Sequence, residues 1–162
     1  MTLQGIAEQN FFAQHGGLDK LRGKRILLVD DIKINSLLAK KILETAGCHV
    51  DIVNNGLEAV RAFLHTAHFY YDAILIDVIM PVMDGLEAVR KIRAVARPDA
   101  KSMPIIAITS ITGTVMLHAI LSAGMNARLV KPIDPILLCD TIIHFLAVTE
   151  EKRRAEMEYA GL

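Results

Sequence analysis

Residues 24–53, KRILLVDDIKINSLLAKKILETAGCHVDIV, set an apolar run, an amphipathic run and a second apolar run in order, with Gly47 at the last break. Residues 25–29 have the length and the Ile, Leu and Val content of a buried strand. Ile34, Leu37, Leu38 and Ile42 recur at helical spacing, Gly47 stands where a helix C-cap favours glycine, and residues 50–53 return to strand composition. Strand, helix and strand joined in this way make a βαβ unit. The alternation continues to Leu146, with strands expected at 73–76, 105–109 and 128–130 and amphipathic stretches at 57–69, 86–96 and 114–123, before a last helix around Ile136. Five strands therefore alternate with five helices. Near-continuous apolar strands call for a parallel sheet covered on both faces, and right-handed crossovers then give an α/β fold: a doubly wound, five-stranded parallel sheet of flavodoxin-like (βα)5 type. Its functional groups belong beyond the carboxyl ends of the strands.

The composition agrees with one folded domain. The chain has 162 residues, 52% hydrophobic and 22% charged, which excludes intrinsic disorder. Eighteen Lys and Arg balance eighteen Asp and Glu, so no net charge recruits nucleic acid or anionic lipid. Cys48 and Cys139 lack C-x-x-C spacing and no signal peptide is evident, so both are read as reduced thiols of a cytoplasmic protein. Asp30, Asp77, Lys131 and Asp140 interrupt the apolar runs, which rules out membrane insertion of those runs. Residues 24–147 form the expected domain. Residues 1–23, with Phe11, Phe12, Gly16 and Gly17, read as an extension of short helix and linker, and residues 148–162 as a helical extension with i, i+4 charge pairs such as Glu150 with Arg154.

Chemistry-bearing residues fall at the strand ends. Asp30 and Asp31 end the first strand, Asp77 the third, Thr109 the fourth and Lys131 the fifth. Carboxylates converging from separate strands repel one another in a partly desolvated pocket and call for a cation. With oxygen donors and no His or Cys nearby in sequence, that cation is Mg²⁺ rather than zinc. A lysine and a hydroxyl added to it supply what a phosphoryl group on Asp77 would need, so the residues read as a phosphoaspartate site. Any one of them alone would be a plain strand terminus. Their coincidence, with Met80 and Pro81 and then Asp84 and Gly85 just beyond Asp77, carries the reading.

ILLVDD at 26–31, DVIMPVMDG at 77–85, IIAITS at 105–110 and LVKPI at 129–133 together resemble the receiver domains of two-component response regulators, over about residues 24–147. The flavour of LRGKRILLVDD and MPVMDGLEAVRKIR is most similar to receivers of hybrid sensor histidine kinases. The resemblance implies that Asp77 accepts a phosphoryl group from a histidine kinase or histidine phosphotransfer protein. It also implies that Asp30, Asp31 and the backbone carbonyl of Ile79 help hold Mg²⁺, that Thr109 bonds a phosphoryl oxygen, and that Lys131 pairs with the phosphoryl group across a usually cis peptide to Pro132. Apart from its own phosphorylation and slow dephosphorylation such a domain is not an enzyme. An aspartyl hydrolase or phosphatase is the competing reading, but it usually wants a second Asp where Ile79 stands; a phosphorylation-independent adaptor would leave five matching site residues unexplained.

Three departures bear on switching. The position three before Lys131, usually aromatic in this family, is Arg128, expected either to engage a polar group of a partner or to remain a solvated strand-edge charge. Ile79 and Ile111 flank the expected path of hydrolytic water, which predicts slow loss of the phosphoryl group. The last helix is apolar over about half its circumference through Leu138, Ile142, Phe145 and their neighbours, a face expected to meet a partner or second copy unless it is a broad core face. Ser110, Arg128, Pro132, Leu138, Ile142 and Phe145 thus make up the expected switch and partner surface. His65 and His68, spaced i, i+3, lack a third ligand nearby and are not read as a metal site.

Overall fold

Each short apolar run becomes a strand of one parallel sheet in the computed structural model, which describes residues 17–161. Strands β1 (Arg25–Val29), β2 (His49–Val53), β3 (Ala73–Asp77), β4 (Ile105–Thr109) and β5 (Ala127–Val130) lie in the order β2-β1-β3-β4-β5. The central strands β3 and β4 are buried at every position because both their faces are covered, and β1 is nearly so. This is the doubly wound, flavodoxin-like order expected from the sequence.

The helices are α1 (Lys33–Thr45), α2 (Gly56–His65), α3 (Gly85–Arg93), α4 (Pro98–Ser102), α5 (Thr114–Ala123) and α6 (Pro135–Tyr159), preceded by a 3-10 turn at Leu18–Leu21. Alternation along each strand sorts the core into two layers. Leu27, Val29, Ile74, Ile76 and Ala107 pack with Phe63 of α2, Ala88 and Ile92 of α3 and Ile120 of α5. Ile26, Leu28, Leu75, Ile106, Ile108 and Leu129 face the opposite way, onto Ala39 and Leu43 of α1 and Leu138, Cys139 and Ile142 of α6. Leu21 is fully buried in that second layer, so the core reaches past Lys24 toward the amino terminus. Phe11, Phe12 and Gly16 lie outside the described residues. No helix among the described residues is long and apolar enough to cross a membrane.

Several local expectations need correction. In α1 the buried face is Ser36, Ala39, Ile42 and Leu43, whereas Ile34, Leu37 and Leu38 are exposed. Small Ser36 and Ala39 let the helix lie close to the sheet, and the larger side chains turn outward. Helix α2 stops at His65, where Thr66 turns to extended backbone and its hydroxyl bonds back to the Ala62 and Phe63 carbonyls. The stretch expected as one helix over 86–96 ends at Arg93, and a separate turn, α4, starts on Pro98. Gly47, at φ 94°, closes α1 as expected: its N–H bonds the Glu44 carbonyl and the Cys48 N–H the Leu43 carbonyl.

Candidate functional site

Asp77 is the last residue of β3, paired with Ile108 on β4, and Thr109 closes β4 opposite Val130. Asp30 and Asp31 follow β1, and Lys131 follows β5. Parallel register therefore delivers all five residues to one edge of the sheet. Lys131 reaches across β4 with its Nζ 2.8 Å from Asp77 Oδ2 and 3.1 Å from Asp30 Oδ2. One ligand oxygen from each of Asp30, Asp31 and Asp77 lies within 4.8 Å of the others.

The loops that follow hold these side chains in place. Asp30 Oδ1 accepts the Ile32 N–H at 2.8 Å, Asp77 Oδ1 accepts the Ile79 N–H at 3.3 Å, and Thr109 Oγ1 accepts the Ile111 N–H at 3.1 Å. In each case the acceptor bonds the backbone two residues on, as short polar side chains do at turns. Asp30, Asp77 and Thr109 are buried while Asp31 is exposed, which opens the cluster on one side. Burial pushes the Asp77 carboxyl above its ordinary range, with Asp30 adding to the effect and Lys131 opposing it. Burial works against the Lys131 ammonium, but its bonds to Asp77 and Asp30 prevail and raise its pKa. An all-oxygen set of three carboxylates fits a hard divalent cation.

The Asp84-Gly85 pair, noted only as a sequence feature, has a structural reason. Asp84 caps α3 by accepting the Glu87 N–H at 2.8 Å. A Cβ on Gly85 would collide with the Asp77 carbonyl oxygen, so only glycine lets α3 start against the end of β3. The Lys131-Pro132 peptide is cis.

The remaining expected site residues divide. Ser110 and Pro132 are exposed at the same edge, as is Ile79, while Ile111 is half-buried. Arg128 is engaged within the chain, its Nη1 donating to the Gly113 carbonyl at 2.8 Å. Leu138 and Ile142 cannot line a partner surface, because both are fully buried where α6 covers the sheet, and Phe145 is half-buried against the same layer. The broad apolar face of the last helix is a core face. A cavity of about 570 Å³ lies at the opposite, amino-terminal edge of the sheet, lined by Lys24, Tyr71, Asp72, Pro104 and Arg153 among others; none of the five strand-end residues touches it. Sequence reasoning did not anticipate Val82, exposed beside the site with φ 70°, or the acceptor chosen by Arg128. Position in a loop carries no periodic signal that could have disclosed either.

The profile of the response regulator receiver domain matches residues 26–143. Sensor protein GacS of Pseudomonas syringae pv. syringae is 37% identical over 142 residues, 87% of this chain and 15% of that protein. Hybrid signal transduction histidine kinase L of Dictyostelium discoideum is 41% identical over 117 residues, 70% of this chain and 7% of its own length. The chain thus spans a small part of these relatives. Among solved structures, the receiver domain of a sensor histidine kinase from Pseudomonas aeruginosa PAO1, with a magnesium ion coordinated in its active-site cleft, is 35% identical with a TM-score of 0.69. That alignment covers 77% of this chain and 98% of the other.

Proposed function

The chain belongs to the response regulator receiver domain family of two-component phosphorelay signalling, and on that basis we propose that Asp77 is its phosphoryl acceptor. The donor is the phosphohistidine of a histidine kinase or histidine phosphotransfer protein, and the domain acts in the cytoplasm as a switch. An Asp77 oxygen attacks phosphorus in line; a P–O bond forms, the P–N bond breaks, and the imidazole leaves with a proton. Asp30, Asp31, Asp77 and the Ile79 carbonyl would hold Mg²⁺, which when bound neutralises charge on the phosphoryl oxygens. Lys131, already 2.8 Å from Asp77, stays within reach of the new group. The Thr109 hydroxyl accepts from Ile111 and so keeps its own proton available for a phosphoryl oxygen. Ile79 and Ile111 orient no water, which favours slow hydrolysis.

What carries the reading is the convergence of Asp30, Asp77 and Lys131 from three strands on one point. Intact-protein mass after incubation with acetyl phosphate and Mg²⁺ tests it. One base-labile phosphoryl adduct is expected, absent in Asp77→Asn and in excess chelator. An adduct that persists in Asp77→Asn, or none on the wild type, would overturn the assignment.

A further inference from the structure

Arg128 stands on β5 in register with Ala107 of β4, outside the set of groups that would touch a phosphoryl. Its guanidinium spans from β5 to the loop 110–113 that joins Thr109 to α5, where Nη1 meets the Gly113 carbonyl at 2.8 Å. Gly113 is the N-cap of α5, with φ 100°, and its carbonyl also accepts the Leu117 N–H at 3.3 Å. At the other end of the loop the Thr109 hydroxyl accepts the Ile111 N–H. The four-residue loop is therefore tied at both ends, once by the side chain that would meet the phosphoryl and once by Arg128.

These two ties work against each other. A Thr109 hydroxyl drawn toward a phosphoryl group on Asp77 while still accepting from Ile111 pulls that N–H, and the loop with it, toward the site. A bond from a neighbouring strand to the far end of that loop resists the movement. The guanidinium also sits at the amino-terminal end of α5, where the helix dipole disfavours a cation. The tie is thus weak enough to release.

We propose that Arg128 is a positioning residue: its bond to the Gly113 carbonyl holds loop 110–113 in the unphosphorylated arrangement and lowers the affinity of the Asp77 and Thr109 site for a phosphoryl group. The inference rests on Asp77 being the acceptor. Phosphorylation then acts against Arg128, which governs the loop through a hydrogen bond to backbone.

The test uses the full chain with Mg²⁺ and beryllofluoride, a phosphoryl mimic, titrated by calorimetry into wild type, Arg128→Ala, Arg128→Lys and Asp77→Asn. Loss of one net hydrogen bond should tighten binding to Arg128→Ala by about 2- to 10-fold. Arg128→Lys, which keeps a donor, should bind as wild type does. Without beryllofluoride, amide exchange at Leu117 should quicken by a similar factor in Arg128→Ala, a local effect that general destabilisation would spread over the sheet. Affinity of Arg128→Ala equal to or weaker than wild type, or Arg128→Lys matching Arg128→Ala, would overturn the inference while leaving Asp77 as acceptor. Failure of wild type to bind, or binding by Asp77→Asn equal to wild type, would overturn the acceptor assignment and the inference with it.

Discussion

Replacing Lys131 with methionine removes the ammonium 2.8 Å from Asp77 and 3.1 Å from Asp30 while keeping an apolar stem in its place. The two carboxylate side chains are 9% and 5% exposed and that of the lysine 18%, so none of the three is well solvated. Deleting one partner of a buried pair costs about 3–5 kcal/mol, because a charge is left without its counter-ion. Exposed Asp31 keeps one side of the cluster open to water, which places the loss at the lower end, about 3 kcal/mol, or about 6–12 °C in Tm for a chain of this size. The loss should depend on divalent cation. Carboxylates without Lys131 repel each other more strongly and bind Mg²⁺ more tightly, and each tenfold gain in affinity returns about 1.4 kcal/mol at saturation. Urea unfolding followed by circular dichroism, with EDTA and then with excess Mg²⁺, measures both effects. Equal stability of the two proteins in EDTA, or an equal response to Mg²⁺, would refute the argument that these carboxylates need a cation.

Gly85→Ala should place a methyl against the Asp77 carbonyl, cost about 1–3 kcal/mol and slow phosphorylation from acetyl phosphate; wild-type rate and Tm would contradict the close approach. Asp99→Asn should cost about 3 kcal/mol at neutral pH, since Asp99 bonds buried Arg97 at 2.7 Å. Burial pushes the Asp99 carboxyl up, but Arg97 and the Phe69 N–H outweigh it and hold it below the ordinary range. Its stabilisation is therefore complete above the usual carboxylate pKa and fades as pH falls below that value through the lower pKa of the folded state, so the gap between wild type and Asp99→Asn should narrow in acid. Val82→Asn should stabilise the fold by about 1 kcal/mol, read as a higher urea midpoint, because an exposed β-branched residue at φ 70° is strained; no gain would count against that strain. Ile111→Glu should shorten the phosphoryl half-life by bringing a water-binding group to the site, and an unchanged half-life would discount exclusion of water.

The strand-end residues were legible because parallel strands place their carboxyl ends at one edge, and five residues at four such ends need no tertiary detail to be brought together. Asp30, Asp77 and Lys131 meet as that rule requires. The helices were less legible. Helix α1 offers apolar residues at more than one helical spacing, and periodicity alone chose Ile34, Leu37, Leu38 and Ile42, of which only Ile42 faces the core. The last helix shows the reverse error, where Leu138 and Ile142 looked surplus to a core that in fact uses them.

The local order of strand, helix and polar strand end was written in the sequence by itself: apolar runs select strands, and a parallel sheet does the rest. Tertiary structure alone decided which helix faces were buried, that Gly85 must be glycine, and that Arg128 bonds Gly113 rather than solvent or a partner. Those outcomes depend on distances between segments far apart in the chain. Backbone approach and side-chain reach set such distances, and neither leaves a periodic trace in the order of residues.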